Sequence, residues 1–116
     1  MYKAYKEKAE FFLVYIREAH ASDSRSPDPD KRFATSQPKE LAERALVAGT
    51  CVTQLNLSLP VLIDDMKGTT EKAYGGWPDR ICLIDADGKM VFQSGPGPAG
   101  FKPAQAEQAM KKMLAP

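Results

Sequence analysis

The apolar residues of this chain gather into short runs set between polar, proline-rich or glycine-rich stretches. The run Phe11-Phe12-Leu13-Val14-Tyr15-Ile16 is continuous, aromatic and β-branched. A run without alternation predicts a strand covered on both faces, as in the parallel sheet of an α/β protein. Residues 2–10 before it are polar strong helix formers with no N-cap, and they read as the last turns of a helix. Residues 21–36, with Ser26-Pro27-Asp28-Pro29-Asp30, predict a surface loop. Pro38 then suits the first turn of a helix carrying Leu41, Ala45 and Ala48 at helical spacing, with Gly49 as its stop. Leu59-Pro60-Val61-Leu62-Ile63 predicts a second strand, closed by Asp64 and Asp65 as turn formers. A short helix is expected over 70–74, bounded by Gly75 and Gly76. Ile81-Cys82-Leu83-Ile84, the turn Asp85-Ala86-Asp87-Gly88 and Met90-Val91-Phe92 predict a hairpin. Beyond the irregular loop at 95–100, Pro103 opens a helix with the stripe Ala106, Ala109, Met110, Met113 and Leu114.

The order is β, α, β, short α, β-hairpin, α, preceded by half a helix. It predicts an α/β protein: a thioredoxin-like three-layer α/β/α sandwich with a mixed sheet, lacking its first strand and part of its first helix. A length of 116 residues favours one domain over residues 1–116, large enough for one core. Sixteen Lys and Arg against fifteen Asp and Glu give a net charge of +1, which removes the usual electrostatic reason to bind nucleic acid or an anionic membrane. No apolar run approaches the roughly 18 residues of a membrane span. His20 is the single histidine, and Cys51 and Cys82 are the two cysteines, so a Cys/His zinc site and a CxxC redox pair are both excluded. The acidic residues Asp23, Asp28 and Asp30 lack calcium-loop spacing, and no metal is expected.

The segment Val14-Tyr15-Ile16-Arg17-Glu18-Ala19-His20 resembles the signature that follows the active-site loop in iodothyronine deiodinases and their bacterial deiodinase-like relatives. The resemblance continues through Pro60-Val61-Leu62-Ile63-Asp64-Asp65-Met66, Ala73-Tyr74-Gly75, the pair Asp79-Arg80, and Gly95-Pro96-Gly97-Pro98 followed by Phe101. It implies an oxidoreductase performing reductive dehalogenation or related thiol or selenol chemistry. The family's selenocysteine or cysteine would then lie upstream of Met1, making this a truncated selenoprotein or its cysteine counterpart. On this expectation an in-frame UGA read as a stop, with the gene start placed at the next methionine, would explain both the absent nucleophile and the opening half-helix, and a cysteine codon there would mean ordinary truncation.

Such chemistry needs an ionised nucleophile and a proton for the departing carbon. Histidine titrates nearest neutrality, so His20 suits the donor or substrate-orienting role. Extended geometry past the first strand would put Glu18 on the same side as His20. Glu18 could hold the imidazole's tautomer or resupply the proton, and Tyr15 could extend the relay; the resemblance assigns these three to one network. It also implies that Arg80 grips an anionic group of the substrate, as a guanidinium suits a carboxylate. The plainer alternatives are a structural histidine, a core tyrosine and a solvated arginine at a strand edge. Pro78 lies near the cis-proline position of thioredoxin-like folds, although its spacing to Leu83-Ile84-Asp85 is one residue long, so the residues alone assign it no cis bond. A second histidine of animal deiodinases is replaced here, with Pro38 at or near its place, which weakens an iodothyronine as the substrate. Cys82 reads as a packed inert thiol, and Cys51 at a helix end as a candidate resolving thiol.

The expected partners are a halogenated or peroxide small molecule, an external thiol reductant in place of a bound cofactor, and a second copy in a homodimer. No compartment is assigned, a cytoplasmic one being favoured. Two other functions fit the same residues: a peroxiredoxin- or thioredoxin-like redoxin, and a non-catalytic thioredoxin-fold binding module.

Overall fold

The computed structural model describes residues 1–19, 21–24 and 36–116. Most of the expected loop at 21–36, with Asp28 and Asp30, falls outside these residues, as does His20. The elements in order are α1 (Tyr2–Tyr5), β1 (Leu13–Tyr15), α2 (Leu41–Gln54), β2 (Val61–Ile63), α3 (Thr69–Tyr74), β3 (Cys82–Ile84), β4 (Met90–Gln93) and α4 (Pro103–Leu114). The protein is therefore mixed α/β. Its strands pair two by two, β1 with β2 in parallel and β3 with β4 antiparallel, where the sequence predicts one mixed sheet. The chain divides into two compact units, a central one over Phe11–Glu71 and a terminal one formed by Met1–Glu10 and Lys72–Pro116.

In the central unit β1 is shorter than the apolar run that predicts it. Phe11 and Phe12 precede the ladder, and Phe12 is 53% exposed, while Leu13, Val14 and Tyr15 are only half-buried rather than covered on both faces. The register sets Leu13 beside Val61, Val14 beside Leu62 and Tyr15 beside Ile63. Just outside it, Leu13 N–H donates to Pro60 C=O and Asp64 N–H to Tyr15 C=O. Helix α2 departs from expectation at both ends. Pro38 is buried ahead of the helix and Glu40 stands at the N-cap, while Gly49 lies inside the helix, which continues to Gln54. Its buried face also differs: Arg44 and Ala48 turn inward at i, i+4, whereas Leu41 is 50% exposed.

Asp64 and Asp65 act as the turn formers that the sequence suggests, and they also cap α3. The Asp64 carboxylate accepts the N–H groups of Asp65, Thr70 and Glu71, and the Asp65 carboxylate accepts the N–H and hydroxyl of Thr69. Side-chain oxygens thereby satisfy the N–H groups that open a helix.

The terminal unit follows its sequence pattern closely. Leu83, Ala106 and Met110 are buried, and Ala109, Met113 and Leu114 extend the α4 stripe as half-buried neighbours. Asp85 organises the hairpin turn, its carboxylate accepting from Asp87 N–H and Lys89 N–H. Gly88 there has φ +81, the conformation that favours glycine. The ladder shifts register between Leu83 and Ile84. Helix α1 is one turn long and passes into hydrogen-bonded turns, with Lys8 N–H and Ala9 N–H both donating to Tyr5 C=O, where the composition of residues 2–10 predicts more helix. The Tyr5 hydroxyl reaches Glu107 Oε1 of α4 at 3.4 Å.

Asp64 is only 3% exposed, and burial by itself would raise its carboxyl; the N–H groups of Glu71, Thr70 and Asp65 and the Thr70 hydroxyl outweigh burial and hold it below the ordinary aspartate range. Asp64→Ala should lower the unfolding free energy by about 1–3 kcal/mol in urea titrations at pH 7. Because the folded-state value is depressed, the stability contributed by the charge is present above the unfolded value, about 3.9, and is lost as pH falls through the folded one. The gap between the wild type and Asp64→Asn should therefore narrow in titrations repeated below pH 4.

Candidate functional site

The site is built where the chain leaves β1. Tyr15 ends the strand, and its C=O is held by Asp64 N–H at 2.9 Å. Two residues on, Arg17 Nε binds both carboxylate oxygens of Glu71, at 2.9 and 3.2 Å. Glu71 N–H in turn donates to Asp64 Oδ2 at 3.0 Å. Tyr15, Asp64, Glu71 and Arg17 therefore form a closed circuit that fixes the strand exit. Beyond Tyr15 the chain bends at Arg17 and Ala19, so strand alternation does not set the direction of Glu18 as the sequence suggests.

What sets it is Gln37. The carboxamide of Gln37 accepts Glu18 N–H at Oε1 (2.9 Å) and donates from Nε2 to Glu18 C=O (3.0 Å). Gln37 N–H donates to the Asp23 carboxylate at 2.9 Å. The Glu18 side chain is half-buried, and that burial raises its carboxyl above the ordinary glutamate range, with the Arg44 guanidinium opposing the rise. Arg44, 4% exposed, donates from Nη1 to Asp64 C=O (3.0 Å) and Asp65 C=O (2.6 Å). Its Nε is buried with no hydrogen-bond partner among the described residues, and the same holds for the Tyr15 hydroxyl. The Cys51 thiol, in the last turn of α2, is pushed up by burial and then by the Glu18 charge. A raised thiol stays protonated and unreactive at neutral pH.

The predicted residues are thus placed unequally. Tyr15 and Glu18 stand together at one strand exit, and His20 lies outside the described residues. Arg80 belongs to the terminal unit, where it is partly buried beside Gly75. Its Nε is buried without a partner among the described residues. Burial raises the Cys82 thiol, while the Arg80 charge and a hydrogen bond with Gln93 oppose the rise. The peptide bond before Pro78 is cis. Sequence reasoning missed Arg17, Gln37, Arg44 and Glu71. One signal was available: an arginine at the i–4 position to Ala48, on the face of α2 meant for the core. Among the described residues no group of three or more His, Cys, Asp or Glu is arranged to hold a metal ion. None of the described helices is long and apolar enough to cross a membrane.

A mixed α/β protein here half-buries a glutamate at a strand exit, with the charge of a buried arginine acting on it. The iodothyronine deiodinase family model matches residues 1–114, and the chain belongs to that family. It is 28% identical over 104 residues to a type I iodothyronine deiodinase of Xenopus laevis, covering 90% of this chain and 40% of the relative. It is 37% identical over 95 residues to a thyroxine 5-deiodinase of Aquarana catesbeiana, covering 81% of this chain and 34% of the relative. To a thyroxine 5-deiodinase of Gallus gallus it is 33% identical over 94 residues, covering 81% and 35%. The chain thus spans between a third and two fifths of the length of these curated relatives.

Two outcomes test the electrostatics. Since burial penalises the charged form of Glu18, its contribution to stability is fully present below the unfolded value and lost as pH rises through the folded one. Glu18→Gln should therefore raise the urea midpoint at pH 7–8, and the gain should vanish below about pH 4, where the wild-type carboxyl is protonated folded or unfolded. Arg44→Met should raise the Glu18 titration midpoint further, read by carbon-13 NMR of the side chain. It should also destabilise the protein by about 1–3 kcal/mol, because two carbonyls lose their donor.

Proposed function

We propose that this chain supplies the proton-handling and substrate-binding part of a deiodinase-like oxidoreductase that removes halogen reductively from a small molecule. In the reaction the carbon–halogen bond breaks, the carbon takes up a proton, and a thiol reductant supplies the two electrons. The nucleophile, a selenocysteine or cysteine, stands outside these 116 residues. Family membership supports this reading, and so do the two thiols of the chain, both held up by burial and unsuited to attack at neutral pH. The observation that carries it is Glu18, a carboxyl raised by burial at the exit of β1, because a general acid works best with a value brought toward the operating pH. Glu18 returns protons through His20, Tyr15 extends the relay, and Arg80 binds an anionic group of the substrate. The fold that goes with this reading is a single thioredoxin-like sandwich, supported by the order of elements and by a parallel pair followed by an antiparallel hairpin.

The test is iodide release from an iodothyronine, with a dithiol as reductant, by a protein that carries the nucleophile-bearing segment fused ahead of Met1. Glu18→Gln and His20→Ala should each lower kcat roughly 100-fold, the ordinary worth of a positioned acid or base. Residues 1–116 alone should release no iodide. Rapid turnover by residues 1–116, or full activity in both variants, would overturn the proposal. Turnover of peroxide but not of the iodinated compound would favour a redoxin.

A further inference from the structure

We infer that Gln37 is the positioning residue of this site, its carboxamide holding Glu18 by both backbone groups so that the carboxyl keeps its half-buried place beside Arg44. The inference rests on the proposed role of Glu18 in handling a proton. It draws on three features of the central unit. The first is the two-point contact, in which one side chain both donates to and accepts from the backbone of one residue, at 3.0 and 2.9 Å. An amide side chain carries a donor and an acceptor side by side on one planar group, so it can close such a pair as a neighbouring strand would. The second is position: the β1–β2 ladder ends at Tyr15, and Glu18 lies beyond it, where the chain has already bent. No strand is left to pair with Glu18 among the described residues, and Gln37 takes that place.

The third feature is what anchors Gln37 itself. Its N–H donates to Asp23 Oδ1, Pro38 after it is buried, and Ala21, two residues before Asp23, is 1% exposed. Ser24 closes a turn onto Ala21 through both its N–H and its hydroxyl. The clamp is thus mounted on fixed chain at both ends. Its effect on Glu18 is geometric. With the backbone of Glu18 satisfied by Gln37, the carboxylate is not drawn back to cap its own N–H. It stays where burial and the Arg44 charge act on it. Gln37 touches no reacting atom in this arrangement; it acts through Glu18.

The experiment is NMR on the 116-residue chain, reading amide hydrogen exchange and the Glu18 side-chain titration in the wild type, Gln37→Ala and Gln37→Glu. In Gln37→Ala the Glu18 amide should exchange roughly tenfold or more faster, having lost its acceptor. The Glu18 titration midpoint should fall toward the ordinary glutamate value, while the amides of Leu13 and Asp64 in the β1–β2 ladder keep their protection. Gln37→Glu retains an acceptor for Glu18 N–H but loses the donor, so it should restore amide protection in part and leave the Glu18 carboxyl displaced. Unchanged Glu18 exchange and titration in Gln37→Ala would overturn the inference. So would equal loss of protection at Leu13 and Asp64 in both variants, which marks a residue that merely supports the fold. None of these readings depends on turnover. An inactive Glu18 bears on the proposed function, whereas an unclamped Glu18 bears on Gln37.

Discussion

The polar junction at the end of β2 is the constraint on which the central unit depends. A parallel ladder of three residues on each strand contributes few hydrogen bonds, and the buried apolar residues beside it are as small as Ala21 and Ala48. Asp64 makes up the difference by engaging every polar group it has. Its N–H binds Tyr15 C=O, its C=O accepts from Arg44, and its carboxylate takes the N–H groups of Asp65, Thr70 and Glu71. One residue thereby joins β1, α2 and α3. A buried carboxylate is tolerable only when hydrogen-bonded in this way, and an arginine buried on α2 is tolerable because β2 ends in carbonyls that face it.

That junction explains why a charged group can be kept half-buried nearby. Glu18 is raised by desolvation, and the guanidinium that limits the rise belongs to Arg44, which is itself fixed by the carbonyls of Asp64 and Asp65. The two carboxyls of this corner are therefore tuned in opposite directions by what surrounds them. Asp64, given three backbone N–H donors, is held ionised. The Glu18 carboxylate accepts no hydrogen bond among the described residues and is pushed toward its protonated form. Opposite environments thus set the two carboxyls apart: backbone donors favour the charged form of one, and burial favours the neutral form of the other.

How much of this the sequence carried depends on the kind of residue involved. The hairpin, its Asp-Gly turn and the α4 stripe were legible because turn chemistry and apolar periodicity are local, and in the terminal unit local preference and packing agree. The strand pairing was not legible in the same way: runs of apolar residues name strands but not their partners, and where one mixed sheet is expected the strands pair two by two. The lengths of α1 and β1 were overestimated because composition cannot show where tertiary contacts stop supporting an element. In α2, the spacing of Leu41, Ala45 and Ala48 pointed to an apolar face, yet of the three only Ala48 is buried, and it shares the inward face with Arg44, whose burial is understandable only once the carbonyls of Asp64 and Asp65 are in place. Tyr15 ends β1 and Glu18 follows it on the bending segment. The alternation used to aim Glu18 failed, because the chain bends at Arg17 and the residue that aims it, Gln37, is 19 positions away.

The same distance in sequence bears on how the site is made. A carboxyl-bearing residue on a bending segment just past a three-residue strand would ordinarily be loosely held, since its backbone lacks a ladder partner. Here the segment is held from two directions by side chains rather than by a sheet: Arg17 to Glu71 on one side, and Gln37 to the Glu18 backbone on the other. Side-chain clamps of this kind fix one residue at a time, so they can position Glu18 without extending β1 and without burying its carboxyl completely. Full burial in an apolar place would hold the carboxyl protonated, and full exposure would leave it ionised. The intermediate placement raises the carboxyl by burial while leaving the Arg44 charge to oppose the rise, a balance that the two clamps hold in place.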